Sequence, residues 1–164
     1  MAISEMFTDS MVMGQATFEG VTSIRQWFVR LYELEACEHG GSFGKRTEIG
    51  HARLFTVPEL SQDSLHESDV ISGDLETVVT ALVENEDRLW APVLILDELY
   101  VKPKYRGRGL AEEVAKAAFA WFEGLVNSEA ITVTTRPKFR PAATRIVEKL
   151  GFRPLKDDIW VRTG

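Results

Sequence analysis

Two groups of residues in this sequence have types and spacing that suggest chemistry. The first is Arg106-Gly107-Arg108-Gly109-Leu110-Ala111, a basic turn with two glycines that runs into an apolar-periodic segment. Such a turn exposes backbone N–H groups, lets a ligand approach the chain, and delivers it to the partial positive charge of a helix start. Arg106 and Arg108 add full charges, so the chemistry on offer is the binding of an anion, a phosphate above all. The second group is Asp97-Glu98, adjacent carboxylates within the run Val93 to Val101, which is otherwise nearly all apolar. Acids in a buried strand are costly unless they hold a charge, a hydrogen bond or a proton in transit. Neighbours in a strand point to opposite faces, so at most one of the pair faces a site directly. Glu98 shares its face with Tyr100, opposite Leu99 and Val101.

Other reactive residue types carry less. Cys37 stands alone beside Glu38 with no nearby cation to hold a thiolate; a single cysteine excludes an internal disulfide and fits a reducing cytoplasm. His39, His51 and His66 have no metal-ligand spacing with one another or with Cys37, so no metal site is expected. His51 reads as a packed or exposed strand residue, with catalysis the lesser reading. Trp27, Trp90, Trp121 and Trp160 are not interleaved with a basic patch and read as core or groove walls rather than a base-stacking platform.

These residues need a frame to hold them. A chain of 164 residues with 45% hydrophobic and 27% charged residues fits one domain, here taken as 1–164, and can bury about 68–70% of its unfolded surface. No apolar run reaches the ~20 residues of a membrane span, and Glu5 and Asp9 stand where a secretory leader would be basic and apolar, so a cytoplasmic protein with no membrane partner is expected. The net charge of −6 divides unevenly: residues 1–101 carry 6 Lys/Arg against 18 Asp/Glu, residues 102–164 carry 13 against 7. An anion is thus favoured on the C-terminal part and a cation on the N-terminal part, while an acidic chain argues against nucleic acid as partner.

Taken in order, residues 1–20 have no clean period and read as either an ordered arm or a mobile tail. Residues 22–36 and 47–57 read as an antiparallel hairpin around the glycine-rich 38–45, whose long edge offers a surface for a homodimer. Pro58 to Gly73 is polar and reads as a loop. Asp74 to Glu84 has helical spacing, Pro92 to Val101 reads as a buried strand, and a helix follows the basic turn to about Gly124 with Val114, Ala118, Trp121, Phe122 and Leu125 on one side. A strand at Ala130–Thr135, a helix from Pro141 to Leu150 and a strand pair around Lys156-Asp157-Asp158 complete an α/β chain. Its order, β-β-α-β-α-β-α-β-β, predicts a mixed sheet flanked by helices.

Which anion the turn holds is narrowed by exclusion and then by likeness. The sequence has no G-x-x-x-x-G-K-[ST] P-loop, and Gly107-x-Gly109 is followed by Glu112 where a dinucleotide fingerprint has its third small residue. Arg106-Gly107-Arg108-Gly109-Leu110-Ala111 does fit [Arg/Gln]-x-x-Gly-x-[Gly/Ala], and with the preceding Leu99-Tyr100-Val101-x-Pro103-x-Tyr105 it resembles the pyrophosphate loop of the GNAT superfamily of N-acyltransferases. About forty residues on, Ala143-Thr144-Arg145-Ile146-Val147-Glu148-Lys149-Leu150-Gly151-Phe152 looks like that family's helix ending in Gly-Phe. Together the two segments cover 93–152.

The resemblance implies acetyl-CoA as cofactor, its pyrophosphate held by the N–H groups of Arg106, Gly107, Arg108, Gly109, Leu110 and Ala111, and its pantetheine arm along Leu99 and Val101. Lys138, Arg140 and Arg145 are then candidates for the 3′-phosphate, with a plain surface role the stronger reading. The implied reaction is direct attack of an amine, from a small molecule or a peptide, on the thioester. It needs a base for the amine proton and an acid for the leaving sulfur. Glu98 is the candidate base or amine-binding residue, against a structural carboxylate at a bulge. Many family members have a tyrosine four residues before the Gly of Gly-Phe as the acid; here that residue is Val147. Tyr100, Tyr105 or solvent remain for the role, and the alternative is a module that binds CoA or a protein partner with little transfer. Family members often carry an asparagine just before this helix, and Lys138-Phe139-Arg140 has none.

Overall fold

The computed structural model describes residues 6–13, 16–17, 20–21, 23–34, 46–85, 91–126, 130–134 and 140–163. Its centre is a seven-stranded sheet in the order β1-β4-β5-β6-β7-β9-β8. The strands are β1 (Met6–Met13), β4 (Arg25–Leu34), β5 (Arg46–Val57), β6 (Val93–Val101), β7 (Ala130–Thr134), β8 (Arg153–Lys156) and β9 (Ile159–Thr163). Two short strands, β2 (Ala16–Thr17) and β3 (Gly20–Val21), pair with each other apart from it. Every pairing is antiparallel except β6 with β7. A parallel neighbour needs a crossover, and α3 (Leu110–Val126) supplies it. No helix among the described residues is long and apolar enough to cross a membrane.

Helices cover both faces and divide the core in two. On one face α3 and α4 (Arg140–Lys149) pack Val114, Ala115, Phe119 and Val147 onto Leu54, Leu94, Leu96 and Val133. On the other face α2 (Gly73–Val83) packs Leu75, Val78, Val79 and Leu82 onto Phe55, Val57, Val93 and Ile95. Val93 to Leu96 is therefore buried on both sides, as its unbroken apolar run predicts, and each such side chain stabilises the fold by about 1.5–3 kcal/mol. Trp27 and Trp160 are partly buried and pack against the first cluster; Trp90, Cys37, His39 and the glycine-rich 38–45 lie outside the described residues, as do the side chains of Trp121, Phe122 and Leu125.

The fold corrects one expectation, matches the ordered-arm reading for residues 6–13, and extends one helix by two residues. Pro58 to Gly73 is not a loop: Gln62–Ile71 is a helix, α1. Its polar composition hides it from periodicity, but its caps explain it. Ser61 Oγ accepts from Ser64 N–H, Ser64 Oγ accepts from Ser61 N–H, and Ser72 both ends α1 and caps α2 by accepting from Leu75 N–H. Residues 6–13 are an ordered edge strand along β4, in register from Met6 opposite Glu33 to Met13 opposite Gln26. Helix α3 runs past Gly124 to Val126. The strand pair around Asp157-Asp158 stands as expected, with Asp157 at φ 48° in the turn.

Candidate active site

The site begins where β6 changes partners. Its parallel pairing with β7 covers Val93 to Leu96, opposite Ala130 to Val133, and stops there. Its antiparallel pairing with β5 continues to Val101. Beyond Leu96 the two strands diverge, and a cleft of about 450 Å³ opens between them. Leu96 and Val133 line its narrow end, Ala111 and Ala115 of α3 one wall, and Ile146 and Val147 of α4 the other.

A one-residue bulge at Asp97 sets which side chains meet the cleft. Leu54 of β5 stands opposite Leu96 and Arg53 opposite Glu98, leaving Asp97 as the extra residue. Strict alternation would have turned Glu98 toward α3 and α4. The bulge instead puts Leu99 and Val101 on that core face and turns Glu98 and Tyr100 to the other, beside Arg53 and His51. Asp97 itself is 6% exposed and tied to Arg53: Nε donates to Oδ2 at 2.8 Å, and a second guanidinium nitrogen donates to the same oxygen. The structural role considered for an acid here thus falls to Asp97.

Glu98 is partly exposed and lies at the rim of the cleft. One of its oxygens lies 3.4 Å from His51 Nε2, the other 3.8 Å from an Arg53 nitrogen. Tyr100 also lines the cleft, its ring 5.3 Å from that of His51. Tyr105, the other tyrosine weighed as a proton donor, is 7% exposed within the core cluster and is not a lining residue. Val147, 4% exposed, fills the position of the expected tyrosine with a methyl surface. Sequence reasoning gave His51 little weight, and its signal lies in strand register: in a hairpin-plus-strand sheet it falls opposite Tyr100. Thr134 was not singled out at all; its hydroxyl is buried at the fork without a hydrogen-bond partner among the described residues.

The strand's end is clamped by backbone contacts. Lys102 N–H donates to Ile49 C=O at 2.7 Å. By strand alternation the N–H groups of Leu99 and Val101 then point the opposite way, into the fork. Gly50 faces Val101 so closely that a Cβ there would lie 2.0 Å from the Tyr100 carbonyl oxygen. Arg106 Nε donates to Val101 C=O at 2.7 Å and its guanidinium lies 5.5 Å from the Tyr100 ring centre. The first loop arginine therefore holds the strand end, while Arg108 rests over Tyr105 at 5.7 Å.

After one 3-10 turn, Pro103–Tyr105, the basic loop climbs to α3. Gly107 and Gly109 adopt φ of 81° and 74°, values that other residues reach only with strain, and a Cβ on either would meet nothing within 4 Å. The glycines answer a backbone need, and the space above them is open. The first intrahelical bond of α3 runs from Glu113 N–H to Gly109 C=O, so the N–H groups of Leu110, Ala111 and Glu112 precede the helical ladder. Glu112, whose charge opposes an anion here, is held ionised but paired: hydrogen bonds from Lys116 and then Lys149 lower its carboxyl pKa below the ordinary value and offset its charge. Lys149 belongs to α4, so the same contact ties the two walls of the cleft. Of the 3′-phosphate candidates, Arg145 is exposed on α4; Lys138 and the Arg140 side chain lie outside the described residues.

No curated protein matches the sequence. Among solved structures, a mosquito arylalkylamine N-acetyltransferase-like protein is 18% identical with a TM-score of 0.52, over 73% of this chain and 70% of that one. NAA60 of Arabidopsis thaliana, in complex with a bisubstrate analogue, is 16% identical with a TM-score of 0.52, over 87% and 77%. A NatC complex bound to Gag peptide and CoA gives 14% and 0.51, over 85% and 70%. These likenesses show the fold, a mixed sheet flanked by helices. The family model for the Acetyltransferase (GNAT) family matches residues 22–152, and the chain belongs to that family.

Proposed function

We propose that the protein transfers an acetyl group from acetyl-CoA to a primary amine, carried by a small molecule or a peptide, by direct attack on the thioester. The observation that carries this reading is the fork between β6 and β7, closed at one end by a glycine loop that opens a helix. The residues present fit the cofactor: the approach to Gly107 and Gly109 is open, the cleft walls are apolar, and two N–H groups of β6 face the gap.

When bound, acetyl-CoA supplies an activated acyl group. The N–H groups of residues 106–111 would hold its pyrophosphate, aided by the charges of Arg108 and Arg106. Leu99 and Val101 would hold its arm through backbone hydrogen bonds. Glu98, on the opposite side chain face, takes the proton of the amine directly or through water. Tyr100 is the phenol at the cleft available to return a proton to the sulfur. The acidic balance of residues 1–101 favours approach of a cationic acceptor. The whole chain is read as one such domain, acting in the cytoplasm.

A second reading has an observation of its own. Val147 cannot donate a proton, and a GNAT module that binds CoA or a protein partner without efficient transfer would need none. Titration calorimetry with acetyl-CoA tests the enzyme and the CoA-binding module together, since each requires binding, whereas a module that binds only a protein partner would show none. Release of CoA thiol in the presence of spermidine, phenethylamine, lysine and a peptide with a free N-terminus then separates them: turnover supports the enzyme, and binding without turnover supports the module.

A further inference from the structure

The proposed reaction leaves unused a histidine that lies beside two cleft-lining residues, Glu98 and Tyr100. His51 stands opposite Tyr100 on β5, two residues from Arg53, which stands opposite Glu98. The two oxygens of Glu98 meet different chemistry. Oε2 is 3.8 Å from Arg53, a guanidinium that keeps its charge and is already tied to the buried Asp97. Oε1 is 3.4 Å from His51 Nε2, a nitrogen that can either give or accept a proton. The imidazole is held on its other side by the Tyr100 ring, and its side chain is 36% exposed, so it reaches water.

We propose that His51 is a positioning residue that acts through Glu98: it fixes the carboxylate and carries the proton Glu98 collects out to solvent. The proposal rests on the acetyltransferase reading above, with Glu98 as its base. The step balances without any further reactant. An N–H of the amine breaks and its electron pair stays on nitrogen, as an O–H forms at Glu98 Oε1. That O–H breaks as N–H forms at His51 Nε2, and the imidazolium then loses its proton to water. Glu98 is again a carboxylate and His51 neutral.

The relay needs a His51 Nε2 free of a proton when Glu98 delivers one. Among the described residues, charged and titratable groups face His51 from three strands. Glu98 and Tyr100 face it from β6, with Arg106 beyond the Tyr100 ring. Arg53 shares its strand face, Arg30 stands opposite on β4, and Asp9 of β1 stands opposite Arg30.

The test compares the full-length wild type with His51→Gln and His51→Ala, using CoA thiol release with whichever of spermidine, phenethylamine, lysine or the peptide the wild type accepts. His51→Gln, which keeps size and polarity without a titrating proton, should bind acetyl-CoA as the wild type does. It should lose about tenfold or more in kcat, and the acid limb of its pH profile should move. Added imidazole should recover turnover in His51→Ala. Unchanged kcat and pH profile in His51→Gln would overturn the proposal alone, as would a loss that comes with weakened acetyl-CoA binding or that imidazole does not relieve. Absence of transfer in the wild type would overturn the acetyltransferase reading, and this inference with it.

Discussion

The two halves of β6 are joined by one bulge and have opposite fates. Val93 to Leu96 is paired on both edges and buried on both faces. Glu98 to Val101 keeps β5 on one edge, loses β7 on the other, and carries a carboxylate and an exposed tyrosine. The first half is held by burial, which tolerates variation so long as volume is kept. The second is held by specific contacts: the Arg53–Asp97 pair, the close approach at Gly50, and the hydrogen bond from Arg106. A single inserted residue thus turns a core strand into the rim of a site.

Breaking those specific contacts should damage the second half while sparing the first. The largest effect is expected from Gly50→Ala. Its Cβ would collide with backbone at 2.0 Å, which no rotamer change relieves. A loss of about 3 kcal/mol is expected, read as a lower midpoint in urea denaturation together with weakened acetyl-CoA binding; an unchanged midpoint would mean that the strand end is not sterically locked. Glu98→Gln comes next. It keeps the shape of the rim and removes the base, so turnover should fall about 100-fold while calorimetry shows the same acetyl-CoA affinity; equal turnover would remove Glu98 from its role.

Smaller effects sharpen the contrast further along the chain. Gly109→Val forces a branched residue into positive φ, at a cost of about 1–2 kcal/mol, and should weaken acetyl-CoA binding about tenfold by the same measure. The smallest effect is expected from Lys149→Ala, across the α3–α4 contact. Glu112 is held below its ordinary value, so its contribution to stability is present above that value and lost as pH falls through the lowered one. Lys116, raised by Glu112, contributes at pH below its ordinary value and loses that contribution as pH rises through the raised one. Lys149→Ala should therefore lower thermal stability slightly at neutral pH, and its difference from the wild type should vanish as pH falls through the lowered value.

The sequence was most readable where a local rule dictates the structure. Gly107 and Gly109, the apolar run from Val93 and the helical spacing after Leu110 each follow from backbone sterics or burial, and each stands in the fold. That Glu98 shares a face with Tyr100 was legible, but which face it is was not, because the bulge at Asp97 reverses the alternation set by Leu94 and Leu96. Helix α1 was missed because its helical character lies in serine caps and not in an apolar stripe. His51 was given little weight, and Thr134 was not singled out, for a different reason. Their meaning depends on which strands become neighbours, and β5, β6 and β7 are brought together by pairings spanning tens of residues.

The open edge of β6 also has a consequence for how occupancy of the cleft can be observed. Amide protons that point toward β5, such as that of Lys102, are shielded by a ladder partner, while those of Leu99 and Val101 face the fork. Hydrogen–deuterium exchange along this segment should therefore alternate between slow and fast from one residue to the next. A ligand lying along the edge would slow only the fast set and leave an alternating footprint at Leu99 and Val101, whereas general stiffening of the strand would slow both.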